Sequence, residues 1–342
     1  MAFCLGRGLF FIMKERQSRF KPYKKKNRYY NSEREKQPGF AFDTLYMVLG
    51  SLLHRVRDAF RGAHQWGLHE KPIERSSSLA VTWIGHSTFL IQVGGINFLI
   101  DPLFGNASFI FQRLLPPGIS LDDLPDIDCV LISHNHRDHM EKSALLRLKE
   151  KNSPLIFVPS GLGQWFDCRG FKQVNEFDWW EQREFTPVQD RPVVRCTFLP
   201  AQHWSQRALL DKNISLWGSW IIECNGYTIY FAGDTTYSGH FKAIAEEFPH
   251  IDLAILPIGP CEPNSVLKHS HMNAQEAGQA FCDLNASHFI PMHWGTFHFG
   301  VEPFDLPIKR LSGWWNEHDD ELAGKQLHVC KVGQRIKFDN IL

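Results

Sequence analysis

From residue 79 onward the chain is written in short apolar runs. "LAVTWIG", "STFLIQV", "INFLI", "CVLIS", "LIFVP", "VRCTFLP", "LWGSWIIE", "YTIYFAG" and "DLAILPI" follow one another in close order. Runs of this length, rich in Val, Ile, Phe, Trp and Thr, predict β-strands. Helical spacing appears between them, as in "KSALLRLK" at 142–149. It returns in "NAQEAGQAFCDL" at 273–284, where Asn273 and Glu276 stand at capping-box distance. Strands in succession, then strands alternating with helices, predict two packed sheets with helices outside. Upstream the texture differs. Residues 14–36 are polar, basic and aperiodic, so residues 1–40 are expected to form a disordered arm. Leu45, Val48, Leu49, Leu52, Leu53 and Val56 recur at helical spacing over 42–60. "RSSS" at 75–78 reads as a linker. The expected organisation is therefore an arm (1–40), an amphipathic helix and linker (41–78), and one large domain (79–342).

Composition alters this picture in one respect. The 342 residues carry no net charge, but residues 1–79 hold 16 Lys/Arg against 7 Asp/Glu, a net of +9, and the remainder is −9. A basic arm on an acidic body points to an anionic partner for the arm and weighs against nucleic acid at the body. Eight cysteines without a CxxC pair, several inside apolar runs, predict buried free thiols in a reducing, intracellular setting. No apolar run reaches the roughly 18 residues that span a bilayer. The opening "MAFCLGRGLFFIM" is read as neither signal peptide nor anchor.

The chemistry concentrates in "VLISHNHRDHM", residues 130–140. His134, His136, Asp138 and His139 leave the end of a buried strand. Residues i and i+2 of an extended chain point the same way, so His134 and His136 can share one ion, while the turn carries Asp138 and His139 toward a second. Imidazole with carboxylate suits zinc. The missing ligands should also follow strands. His203 stands after "VRCTFLPAQ", Asp234 after "YTIYFAG" and His293 after "HFIPM". The inventory then divides: His134, His136 and His203 for one ion, Asp138, His139 and His293 for the other, and Asp234 as the bridge. Asp101, ending "NFLID", and His86, in "IGHS", are placed to hold the other ring nitrogen of ligating histidines.

"SHNHRDH" resembles the signature of the metallo-β-lactamase superfamily. "TWIGHSTFLI", "LIDPLF", "AQHWSQR", "LWGSWII", "FAGDTTY", "LPIGPCEP" and "MHWGTFHFG" are similar, in order and spacing, to the N-acylphosphatidylethanolamine-hydrolysing phospholipase D (NAPE-PLD) family. The resemblance covers roughly residues 79–315. It implies an α/β metallo-β-lactamase fold, a four-layer αβ/βα sandwich of two mixed sheets flanked by helices. It carries the same seven ligands and implies two zinc ions per chain. His271 in "SHMNAQEA" matches the family's cleft histidine, although Ser270 stands where animal members carry Gln.

The implied reaction is phospholipase D cleavage of N-acylphosphatidylethanolamine to N-acylethanolamine and phosphatidate, by a hydroxide shared between the ions. His271 is the candidate proton donor, and it could instead hydrogen-bond substrate or cap the helix near Asn273. Asp138 counts as both ligand and catalytic group. The resemblance implies a homodimer. Peripheral membrane contact is expected through the basic arm and the Phe- and Leu-rich loop 103–118. Two other readings stay open: another hydrolase of this fold, such as a lactonase or a different phosphodiesterase, or a non-catalytic lipid-binding module.

Overall fold

The computed structural model describes residues 11–13, 20–31, 50, 63–187 and 190–338. Among the described residues two large sheets form the body. The first contains β4 (Leu79–Gly85), β5 (Thr88–Val93), β6 (Ile96–Ile100), β7 (Cys129–Leu131), β8 (Leu155–Pro159), β9 (Val174–Phe177) and β17 (Arg335–Phe338), ordered β17-β4-β5-β6-β7-β8-β9. β4 to β6 are antiparallel, and β6 to β9 run parallel. The second contains β1 (Phe11–Met13), β10 (Gln182–Phe185), β11 (Val194–Leu199), β12 (Ser219–Cys224), β13 (Tyr227–Phe231), β14 (Ile251–Pro257), β15 (Ala286–Met292) and β16 (Gln326–Leu327), paired in that order. It is antiparallel up to β13 and parallel from β13 to β16. This is the two-sheet, helix-flanked α/β architecture expected from the pattern of apolar runs.

The period of two explains why those runs lack polar breaks. In β5, Phe89, Ile91 and Val93 face the core between the sheets, while Leu90 faces a second apolar layer. In β6, Phe98 and Ile100 face inward and Leu99 outward. The outer layer is closed by Leu145 and Leu148 of α1 (Lys142–Lys151) and Phe166 of α2 (Gly163–Asp167). Both faces are covered, so alternation cannot show as apolar against polar. Trp179 and Trp180 also belong to the core, their indole N–H groups donating to the carbonyls of Trp217 and Phe20.

The helix α3 (Ala274–Leu284) begins as its sequence requires: Asn273 accepts from Glu276 N at 3.0 Å, and Glu276 accepts from Asn273 N at 2.9 Å. Its cap is therefore Asn273, not His271.

Three expectations need correction or restriction. Within the supposed disordered arm, β2 (Tyr23–Lys25) and β3 (Arg28–Tyr30) pair as a hairpin. Tyr29 is buried, its N–H donates to Asn213 O at 2.7 Å, and Arg28 donates to the carbonyls of Leu210 and Lys212. Tertiary hydrogen bonds order a segment whose composition alone cannot. The "RSSS" stretch is no free linker either. Arg75 pairs with Asp128 at 2.5 Å, and the carbonyls of Ser76 and Ser77 accept from Gly95 and Gly94. The helix expected over 42–60 lies outside the described residues except Gly50, which is helical.

Candidate metal centre

Six loops meet at one place, each leaving the carboxyl end of a strand. His86 follows β4, Asp101 β6, His134 to His139 β7, His203 β11, Asp234 β13, and His293 β15. In α/β sheets that end is where ligands gather. The backbone there is bent to fit. His86, Asp101 and His293 adopt φ of 56°, 43° and 62°, a left-handed conformation that costs non-glycine residues about 1–2 kcal/mol each. Gly233, at φ 60°, carries Asp234 in. A Cβ there would stand 2.8 Å from Gly218 O and from the Ser133 side chain, so only glycine lets these loops close.

Two donor sets result. His134, His136, His203 and Asp234 offer atoms all within 4.8 Å of one another, and so do His86, Asp138, His139 and His293. Within the first set, His134 Nε2 lies 2.8 Å and His203 Nε2 3.3 Å from His136 Nδ1. Asp234 Oδ2 stands between the sets. It is 3.2 Å from His139 Nε2 and 3.3 Å from His293 Nε2 on one side, and 3.9 Å from His134 Nε2 and 3.8 Å from His203 Nε2 on the other. All seven predicted ligands are thus brought together, with Asp234 in the bridging place. His86 lies closer in than its expected orienting role requires. Its Nε2 is 3.1 Å from Asp138 Oδ2, its ring centroid is 4.2 Å from that of His293, and it is itself one of the second donor set.

The outer ring nitrogens are held as ligating histidines require. His139 Nδ1 donates to Asp101 Oδ2 at 2.7 Å. Asp101 also accepts from Ser133 N at 2.7 Å and Ser133 Oγ at 2.5 Å, and that hydroxyl lies 2.9 Å from His134 Nδ1. One buried carboxylate therefore orients two rings. His203 Nδ1 donates to the carbonyl of Ser270 at 2.9 Å, a contact the Ser270 side chain does not enter. Ser133 and that carbonyl escaped the sequence reading. A serine directly before an HxH pair was the only available signal for the first, and a backbone acceptor leaves none. We expect Asp101→Asn, which keeps the shape but loses the ion, to weaken metal retention about 10- to 100-fold, measured by titration against a chromogenic chelator.

The donor set fits divalent cations. His136 Nε2, His139 Nε2, Asp234 Oδ1, His271 Nδ1 and both ring nitrogens of His293 are buried without a hydrogen-bond partner, although buried polar atoms nearly always find one. Burial and neighbouring imidazoles push His134 well down and hold His203 to about 3. Burial, against the pull of Asp138 and Asp234, takes His136 to about 4. At neutral pH these rings are uncharged, with lone pairs available. Asp234 and Asp138 move down instead: burial opposes their ionisation, but His139 with His293, and His139 with His86, outweigh it. His139 alone is raised, because Asp234 and Asp138 overcome the cost of its burial. His271 sits at the rim, Nδ1 3.9 Å from Asp234 Oδ2, with its ring 5.3 Å from His203 and 5.0 Å from His293.

This geometry can be set against known proteins. A model of the beta-lactamase superfamily domain matches residues 96–294. The N-acyl-phosphatidylethanolamine-hydrolyzing phospholipase D 1 of Caenorhabditis elegans is 37% identical over 257 residues, covering 71% of this chain and 72% of the worm protein. The chain belongs to the NAPE-PLD family of the metallo-β-lactamase superfamily. Another relative, the mitochondrial N-acyl-phosphatidylethanolamine-hydrolyzing phospholipase D of Saccharomyces cerevisiae, is 36% identical over 239 residues, covering 67% of this chain and half of the yeast protein's length. In fold, the chain is similar to Igni18, a metallo hydrolase of the archaeon Ignicoccus hospitalis (TM-score 0.56, 22% identity, 77% of this chain and 99% of that one). With its paired donor sets, this NAPE-PLD family member is a metal-dependent hydrolase of the metallo-β-lactamase fold.

Two loops of this family member flank the centre, each tied to the 134–141 segment. Glu141 Oε2 accepts from Phe104 N at 2.7 Å and Gly105 N at 3.0 Å, anchoring the 103–118 loop. Arg207 Nη1 donates to Met140 O at 2.7 Å and Asn135 O at 3.2 Å, anchoring the loop after His203. Arg207 lies in the "AQHWSQR" motif, which marked the family without suggesting this role. Among the described residues no helix is long and apolar enough to cross a membrane.

Proposed function

We propose that the chain is a zinc-dependent phosphodiesterase that hydrolyses N-acylphosphatidylethanolamine to N-acylethanolamine and phosphatidate. The observation that carries the reaction class is the position of Asp234, whose single oxygen reaches toward both donor sets at 3.2–3.9 Å. The substrate reading is supported by the worm and yeast relatives, both of which carry that activity in their names. Two zinc ions bound there would polarise a phosphoryl oxygen and lower the pKa of a bound water to about 7.

The chain's residues do the rest. His134, His136 and His203 would hold one ion, and Asp138, His139 and His293 the other, with Asp234 between them. Asp101 keeps the His139 proton on Nδ1, so that Nε2 faces inward. His271 is the histidine at the rim with a free Nδ1, and its side chain is 15% exposed. Burial takes it down to about 3, so at neutral pH it is an uncharged imidazole. That suits hydrogen-bonding to a phosphoryl or ethanolamine oxygen better than delivering a whole proton, as an imidazolium would. From its place at the rim, 3.9 Å from Asp234 Oδ2, we assign it a contact with the substrate.

Phe109, 93% exposed, and Ile110 form the tip of the 103–118 loop, and Phe111 behind them packs on Phe299, beside His86 and His293. An apolar tip beside the centre supports contact with a lipid surface. Leu103 and Leu115, nearer the ends of that loop, are buried.

The test is direct. Purified protein is incubated with N-acylphosphatidylethanolamine, a lactone and a chromogenic phosphodiester, with and without a chelator. The expected result is N-acylethanolamine release that the chelator abolishes and zinc restores. Turnover of the lactone alone would overturn the substrate class.

A further inference from the structure

Three large apolar side chains are described as more than four-fifths exposed: Phe109 at 93%, Leu209 at 94% and Leu210 at 84%. The two leucines lie in a different loop from Phe109, whose own loop meets the second donor set through Phe111 on Phe299. They belong to the loop after His203, where the Trp204 ring packs 4.3 Å from His136.

This loop is tightly built. Asp211 Oδ1 accepts from Arg207 N at 2.9 Å and Ala208 N at 2.8 Å, and Ser205 and Asn213 bond to each other twice. Arg207 ties it inward to the metal-bearing segment, and Arg28 of the hairpin holds the carbonyls of Leu210 and Lys212 from outside. Several of the loop's backbone groups are thus bonded to protein, while the two leucyl side chains remain in solvent. Two adjacent exposed leucines on a loop held this firmly make a fixed apolar projection, the kind of surface that marks an interaction site.

The charge around them says which partner. Arg169 and Arg207 both stack on the Trp165 ring, at 4.0 and 5.2 Å. Arg137, exposed, donates to the carbonyl of Arg207. Lys212 lies 5.3 Å over the Trp204 ring. Among the described residues, no carboxylate forms an ion pair with Arg137, Arg169 or Arg207. Burial lowers Arg207 to about 10, and repulsion from Arg137 and Arg169 adds to it against the pull of Asp211 and Asp138. The hairpin turn adds exposed Lys24, Lys25 and Lys26. Two apolar prongs within a collar of cations over tryptophan rings match the layering of an anionic bilayer: hydrocarbon for the prongs, phosphates for the collar.

We propose that the 206–212 loop is a bilayer-docking element. Leu209 and Leu210 enter the apolar layer of an anionic membrane, and Arg137 and Arg169 lie on its headgroups. The proposal deepens the lipid reading above, yet docking is measured without turnover, so the two can fail separately.

The experiment uses the full chain and sedimentation with phosphatidylcholine vesicles, with and without phosphatidylserine. The unmodified protein should bind the phosphatidylserine vesicles more tightly, and added salt should weaken that binding. Leu209→Ser with Leu210→Ser should bind at least about tenfold more weakly. Its melting temperature and its turnover of a water-soluble phosphodiester should be unchanged. Arg169→Gln, a separate variant, should reduce the salt dependence. Equal vesicle binding by the leucine variant overturns the proposal. So does a change from dimer to monomer in light scattering with vesicle affinity retained, because the leucines would then cover a second copy of the chain. Retained docking without N-acylphosphatidylethanolamine turnover would sink the substrate reading and leave the anchor standing.

Discussion

Asp234→Asn is expected to reduce phosphodiester turnover by about a thousandfold, or about 4 kcal/mol of transition-state stabilisation. The amide keeps the volume and one oxygen but loses the charge that two donor sets share. In the present structure that carboxylate draws His139 and His293 to 3.2 and 3.3 Å and lies 3.8 and 3.9 Å from His203 and His134. Without the charge, one ion's worth of affinity should go as well. Metal analysis after dialysis should read clearly below the two equivalents expected of the parent protein. Full activity in this variant would mean that Asp234 is only a structural acceptor, and the two-ion account would fail with it.

Removing metal should also destabilise the fold. A cation that binds only the native state adds about 4 kcal/mol when present at a thousand times its dissociation constant. For a domain of this size that corresponds to roughly 5–10 °C in melting temperature. A chelator-treated sample is therefore expected to melt lower by that margin, and zinc should restore it. The cause is local. Chelation leaves imidazoles and carboxylates packed together in the protein interior, with several ring nitrogens unpaired. The residue that compensates is His139, which Asp234 and Asp138 hold charged. It can serve as a ligand only by giving up the Nε2 proton, since Nδ1 is committed to Asp101. Zinc addition should accordingly release about one proton per chain, measurable with an indicator dye in weak buffer. Identical melting curves with and without chelator would count against a resident ion.

What could be read from the chain, and what could not, follows from the range of the forces involved. The strands from "LAVTWIG" to "DLAILPI" were legible because most of their residues are buried and apolar. The cap at Asn273 was legible because it closes within four residues. The metal donors were legible because each stands directly after such a strand, and strand ends at one edge of a sheet necessarily converge. The hairpin at 23–30 was not, because Tyr29 and Arg28 find their partners at Asn213, Leu210 and Lys212, nearly two hundred residues on. The close approach of His86 to His293 was not legible either, for it joins two sheets.

The sequence by itself determined which residues could hold metal, where the main strands run, and which family the chain resembles, since all of these lie in local spacing and local chemistry. Tertiary structure decided which atoms meet. It set Asp234 between two donor sets, gave Asp101 two histidines to orient, left Leu209 and Leu210 in solvent, and gathered arginines near them. Such distances arise only when segments far apart in the chain pack together, and no local pattern encodes them.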